Sequence, residues 1–216
     1  MTRTVSFIAV LASSVVLFTA RSATADSIVI RPAAIGELVD RRPIDGADLQ
    51  LFPGAENLAL GPSAETRIFY EFSLAGVTLK QREFATFSVT RGEPFSECAS
   101  LSPCPELKRI DVYGYTGDGA IHLPDYASGT FLGSVTEVPL EGGRLTVDVT
   151  TFIAGLLSGG HAFAGIALRP GSEGGAAFHD AILNPDPVPE PSTFVLVATA
   201  ALGCMRRRQW RRRLEQ

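Results

Sequence analysis

An uncharged apolar run near the C-terminus, walled by prolines on one side and arginines on the other, sets what this chain can fold into. The run is Thr193 to Met205, made of helix formers and small residues. As a helix rising about 1.5 Å per residue it is roughly 20 Å long, short of the ~30 Å hydrocarbon core. Snorkelling side chains and local thinning cover the deficit, or the helix is partly re-entrant. Arg206, Arg207, Arg208, Arg211, Arg212 and Arg213 follow it, which places that end in the cytoplasm by the positive-inside rule. Pro189 and Pro191 cannot continue a helix and hold the segment around Glu190 extended, as a protease-accessible site requires. An ordinary tail anchor is the alternative reading.

The other end is also a targeting segment. Arg3 supplies a positive start, Val5 to Ala20 is apolar, and Ala23-Thr24-Ala25 fits the small-x-small cleavage rule. Export through the Sec machinery and cutting by signal peptidase would leave Asp26 as the new N-terminus; an uncleaved anchor is the alternative. The expected organisation is a signal peptide over 1–25, one folded domain over 26–183, a linker over 184–192, a transmembrane helix over 193–205 and an Arg-rich cytoplasmic tail over 206–216. The central part has the length of a single domain, large enough to bury its own core.

Pro189-Glu190-Pro191-Ser192, the apolar run and the arginine cluster, in that order, resemble the PEP-CTERM sorting signal of Gram-negative bacteria. The resemblance implies recognition and processing by an exosortase, a membrane-embedded transpeptidase. It also implies transient anchoring in the inner membrane, then delivery to the cell surface or the extracellular matrix.

Net charge is −4 over the whole chain, which hides an asymmetry. Between Asp26 and Pro191 there are 11 Lys and Arg against 22 Asp and Glu, a net of −11. Such a surface disfavours nucleic acid and other phosphate-rich partners. Cys98 and Cys104 flank a short polar loop of an exported chain, the setting for a local disulfide. Metal ligation by the two thiols is the alternative, without a second Cys or His pair nearby.

The central part reads as short alternating strands between turn residues. Candidates are Ile28–Arg31, Ala47–Leu51, Arg67–Leu74, Phe84–Thr90, Arg109–Tyr115, Gly129–Val135, Arg144–Val149, Phe163–Leu168 and Ala176–Phe178. One segment breaks the pattern: Thr150 or Thr151 as N-cap, Phe152, Ile153, Leu156 and Leu157 on one side, and Gly159-Gly160 to end it predict a short helix. The expected fold is an all-β antiparallel sandwich of jelly-roll type with one short helix. The order Arg67-x-x-Tyr70-Glu71-Phe72-Ser73-Leu74, then Val147-Asp148-Val149-Thr150-x-Phe152-Ile153, then Gly165-Ile166-Ala167-Leu168-Arg169 resembles DNRLRE-type β-sandwich domains over Glu65–Phe178. That likeness implies an extracellular domain, and carbohydrate binding only by analogy.

Chemistry-bearing patterns are sparse. His122, His161 and His179 stand apart in sequence, and neither His-Glu-x-x-His nor Gly-x-Ser-x-Gly occurs. Glu71 with Asp111, or Asp118 with Asp125, are carboxylate pairs of the kind a glycosidase uses, but pairs are abundant by chance in an acidic chain. Asp148 is expected to support the helix N-terminus. Asp40, Asp45 and Asp48 around Gly46, and Asp118 and Asp125 around a Gly-rich loop, are candidates for weak Ca²⁺ binding, with a solvated acidic loop as the alternative. Tyr113, Tyr115 and Tyr126 are candidates for stacking on sugar faces; their alternative is one face of the core. The expectation is a non-enzymatic surface or matrix protein, structural or weakly glycan-binding in exopolysaccharide or biofilm, needing no cofactor. A secreted hydrolase with a site assembled in space, or an uncut membrane-anchored protein, are the rival readings.

Overall fold

The aromatic run around Tyr70 becomes the central strand of the fold. The computed structural model describes residues 29–42, 44–78, 84–94 and 103–184. The signal peptide, Cys98, the Pro-Glu-Pro segment, the apolar run and the arginine tail all lie outside these residues. Among the described residues no helix is long and apolar enough to cross a membrane.

Among the described residues ten strands form: β1 (Ala34–Arg41), β2 (Gln50–Pro53), β3 (Asn57–Leu60), β4 (Ala64–Ser73), β5 (Thr86–Arg91), β6 (Ile110–Gly117), β7 (Thr130–Val135), β8 (Arg144–Asp148), β9 (Phe163–Pro170) and β10 (Gly174–Asn184). A 3₁₀ helix at Leu123–Ala127 precedes β7, and one α-helix, α1 (Thr150–Ser158), links β8 to β9. All strands pair antiparallel, in the order β7-β6-β9-β4-β3-β10-β5-β8, with β1 on the other edge of β4 and β2 beyond it.

The expected sandwich is closer to a barrel, and β4 explains why. One edge of β4 serves two partners: β9 pairs with Ile68–Ser73, and β3 takes Glu65 and Thr66. From Arg169 onward β9 pairs with β6 alone, so the lower part of β4 is free to hold β3. The two leaves are thereby joined into one sheet that curls until it nearly closes. The path through β4 ends at β7 and β8, and β2, paired to β1 alone, is a third free edge.

Strand β4 is buried on both faces. Tyr70 and Phe72 point into the main core, where the Phe87 ring lies 5.6 Å from Tyr70 and 6.1 Å from Phe72. Phe69 points the other way, into a smaller cluster with Leu38, Tyr115, Ile121, Tyr126 and Ala167. The loop and 3₁₀ helix after β6 thus cover what a two-layer sandwich would leave wet.

Helix α1 begins one residue earlier than the threonines imply. Val149 is the N-cap, and the Asp148 carboxylate accepts the Thr150 N–H at 2.8 Å. Thr150 is used elsewhere: its hydroxyl oxygen accepts the Ala85 N–H at 2.9 Å and ties the helix to β5. The helix ends at Gly159-Gly160 as expected, with Gly160 at φ +71° and the His161 N–H returning to Leu156 O. Asp148→Ala should therefore cost about 1 kcal/mol, a fall of roughly 3 °C in Tm by circular dichroism.

Two expected strands changed. Around Ile28–Arg31 only an isolated bridge forms, Ile30 exchanging both backbone bonds with Leu183 at 2.8 and 2.9 Å. The Ala47–Leu51 strand starts later, as β2. Strand β1 carries no period-2 signal, because Glu37 and Asp40 are themselves buried, and β3, at four residues, is too short to show one.

Candidate functional site

The three tyrosines singled out from sequence do gather on the outer face of β6 and its neighbours, but not as a platform. Tyr115 is 5 % and Tyr126 6 % exposed, both inside the smaller cluster. The Tyr115 ring lies against Gly165, where a Cβ would sit 2.2 Å from its Cζ, and edge-on to Phe69 at 6.1 Å. Burial, with the charges of Glu71, Asp125 and Asp118, pushes its phenol well above the usual range. Tyr126 lies under the Arg67 guanidinium at 3.7 Å and donates to Glu65 Oε2 at 3.2 Å, while Arg67 also donates to the Tyr126 carbonyl at 2.6 Å. Tyr113 is half-buried, with Arg169 3.8 Å above its ring and Phe131 edge-on at 5.6 Å. A sugar cannot stack on rings already covered, so Tyr115 and Tyr126 are corrected from ligand platform to core, and Tyr113 keeps only part of its surface.

The acidic candidates resolve into structural acceptors. Asp40 is fully buried, and its Oδ2 accepts the Gly46 N–H at 2.8 Å, fixing the loop after β1. Asp45 closes a local turn on the Ala47 N–H at 2.9 Å, and Asp48 is exposed. These three do not converge; among the described residues no group of three acidic, His or Cys side chains is placed to hold a metal ion. Glu71 and Asp111 lie on different strands, offset by four residues of register, on the order of 13 Å along the sheet. They are not a hydrolytic pair. Glu71 instead holds the next loop, its Oε2 accepting the Gly119 N–H at 2.8 Å, and burial raises its pKa. Asp125 caps the 3₁₀ helix by accepting the His122 N–H at 2.7 Å, and Asp118 pairs with the His122 ring at 3.3 Å. Asp111 is held by Arg109 at 3.0 and 2.8 Å and by Ser134.

One titratable pair was not visible in sequence. Glu56, in the turn before β3, accepts a long hydrogen bond (3.4 Å) from the fully buried Tyr70 hydroxyl. His179 lies close enough to act on it by charge, and its own Nδ1 is 3.0 Å from Asp180 Oδ2. Asp180 has a left-handed backbone (φ 54°) at the bulge where β10 shifts register against β5. Burial pushes the Glu56 carboxyl up to about 7, against the pull of the Tyr70 bond and the His179 charge. Because the folded state holds this proton more tightly than the unfolded one, its stabilising effect is complete below the ordinary value of 4.5 and is lost as pH rises through 7. Glu56→Gln should therefore match wild type in urea unfolding at pH 4.5 and exceed it at pH 8 by about 1 kcal/mol, since a half-exposed carboxyl feels only part of the burial cost.

Of the remaining candidates, His161 sits in the exposed loop after α1. Cys104 is half-buried before β6, and its expected partner Cys98 lies outside the described residues.

The comparisons with known proteins bear on the tail. No curated protein matches the chain. Residues 187–213 match the PEP-CTERM protein-sorting motif, a span that holds Pro189, Glu190, Pro191 and Ser192, the apolar run and all six terminal arginines. The chain carries this motif, which implies an exported protein sorted at the membrane by an exosortase.

Proposed function

We propose that this chain is a non-catalytic surface or matrix protein, structural or weakly glycan-binding within exopolysaccharide or biofilm. The sorting motif at 187–213 carries the reading, since it serves delivery and adds no chemistry to the domain. The ends of the barrel support it. Ile30 and Leu183 zip the first and last described segments together, so cuts at Asp26 and near Pro191 would leave the barrel whole. Its likeness to DNRLRE-type domains rests on residues Glu65–Phe178 and points to an extracellular module. A Cys98–Cys104 disulfide would clip the loop before β6 in that oxidising setting. The domain needs no cofactor, and any Ca²⁺ held by its acidic loops is weakly bound and incidental. In host cultures fractionated into membranes, matrix and medium, the trimmed form should travel with the exopolysaccharide. Its recovery in the medium of a culture rich in matrix would count against the reading.

A second reading, a secreted hydrolase, is favoured by one observation: the Glu56 carboxyl near neutrality beside His179. Turnover of ester or glycoside substrates that Glu56→Gln abolishes would establish it in place of the first.

A further inference from the structure

The incomplete closure of the sheet leaves a trough that no spacing in the chain foretells. At the seam between the free ends β7 and β8 lies a cavity of about 600 Å³, lined by Phe131 and Leu132 on one side and by Asp148, Thr151, Phe152 and Gly155 on the other. A second hollow of about 480 Å³ shares Thr130 and Phe152 with the first and continues past Thr116 and Ser128. The two therefore adjoin at Thr130 and Phe152. Phe131 is 53 % exposed at the rim. Gly155 keeps the first hollow open on the helix side, since a Cβ there would meet nothing within 4 Å.

The lining has a definite chemistry. It combines Phe131 and Phe152, the hydroxyls of Thr116, Ser128, Thr130 and Thr151, and a single carboxylate, Asp148; no Lys or Arg lines either hollow. Aromatic surface beside hydroxyl donors and acceptors suits a ligand with an apolar CH face and a hydroxyl rim, which is a pyranose ring. Two joined hollows suit consecutive rings of a chain better than one compact molecule. Charge selects among polysaccharides: a trough with one carboxylate and no cation, on a domain of net −11, repels an anionic polymer.

We propose that this trough binds a neutral polysaccharide chain, with a sugar face against Phe152, Phe131 at the rim, and hydroxyls bonded to Thr130 and Thr151. The proposal deepens the matrix reading above and rests on it. It moves the glycan site from the buried tyrosines to the seam.

The test is affinity electrophoresis of the mature domain in native gels holding a galactomannan, a β-glucan or dextran, with alginate as the anionic control. Wild type should be retarded by at least one neutral polymer and not by alginate. Phe131→Ala, at an exposed site, should weaken that binding about tenfold. Gly155→Leu should fill the trough and abolish binding while leaving the thermal midpoint unchanged or raised, because a helix glycine is replaced where space is open. Binding and stability then move in opposite directions, which misfolding cannot imitate. Retardation of wild type and of both variants alike would overturn the trough and leave the glycan reading standing. No retardation of wild type by any neutral polymer would overturn both. Self-association of wild type that Phe131→Ala relieves, without polymer binding, would assign the trough to a second copy and overturn the proposal.

Discussion

Replacing Pro189, Glu190 and Pro191 together by alanine should leave the chain uncut and confined to the membrane fraction, with the mature form lost from the matrix. The segment sits between a barrel whose last strand ends at Asn184 and an apolar run that starts at Thr193. Eight residues lie between, at most about 28 Å of extended chain, so a cut in this segment would fall close to the start of the apolar run. Proline cannot continue a helix whereas alanine favours one, so the triple change alters the local helix propensity as well as the motif. A separate variant with the six terminal arginines changed to glutamine should fail differently, by losing fixed topology rather than cleavage alone. Immunoblots of membrane and matrix fractions with an antibody to the barrel distinguish the two. Normal release of the triple-alanine variant would show that the matched motif is not what directs processing.

Phe87→Ala should be the most damaging single change within the barrel. The side chain is fully buried and its ring meets both Tyr70 and Phe72, so truncation opens a cavity between the two leaves at their most aromatic point. Such losses run to about 3–5 kcal/mol. A domain of this kind is stable by only about 5–15 kcal/mol, so the variant should lose on the order of 10 °C in Tm or fail to accumulate. Phe52→Ala is the control: Phe52 is 44 % exposed on β2, and its loss should fall within about 0.5 kcal/mol. Equal midpoints for the two variants in urea would mean the main core is wrongly placed.

Local signals made much of the fold legible and left its closure hidden. β4, β5, β6, β8 and β9 announce themselves by β-branched and aromatic alternation, and α1 by its apolar spacing and terminal glycines. Strands β1 and β3 do not. β1 carries Glu37 and Asp40 at buried positions, where Glu37 accepts the Asn57 N–H and Asp40 the Gly46 N–H, so polarity there marks long-range hydrogen bonds rather than solvent. The tyrosine cluster failed as a site for a related reason. Sequence shows that Tyr113 and Tyr115 share a face, but not that the loop to Tyr126, with Arg67 and Arg169 rising from β4 and β9, would roof that face. Glu56 with His179, and Phe131 with Gly155, are pairs made only by sheet closure between distant segments, and no spacing rule reaches them.

The most direct test of the account is the intact mass of the protein recovered from its native host, taken separately from membranes and from the surrounding matrix. The matrix form should begin at Asp26 and end near Pro191, and be lighter by about 2 Da than its reduced form if Cys98 and Cys104 are joined. A protein found only in membranes, with its arginine tail intact, would contradict sorting and release and make this an anchored barrel instead.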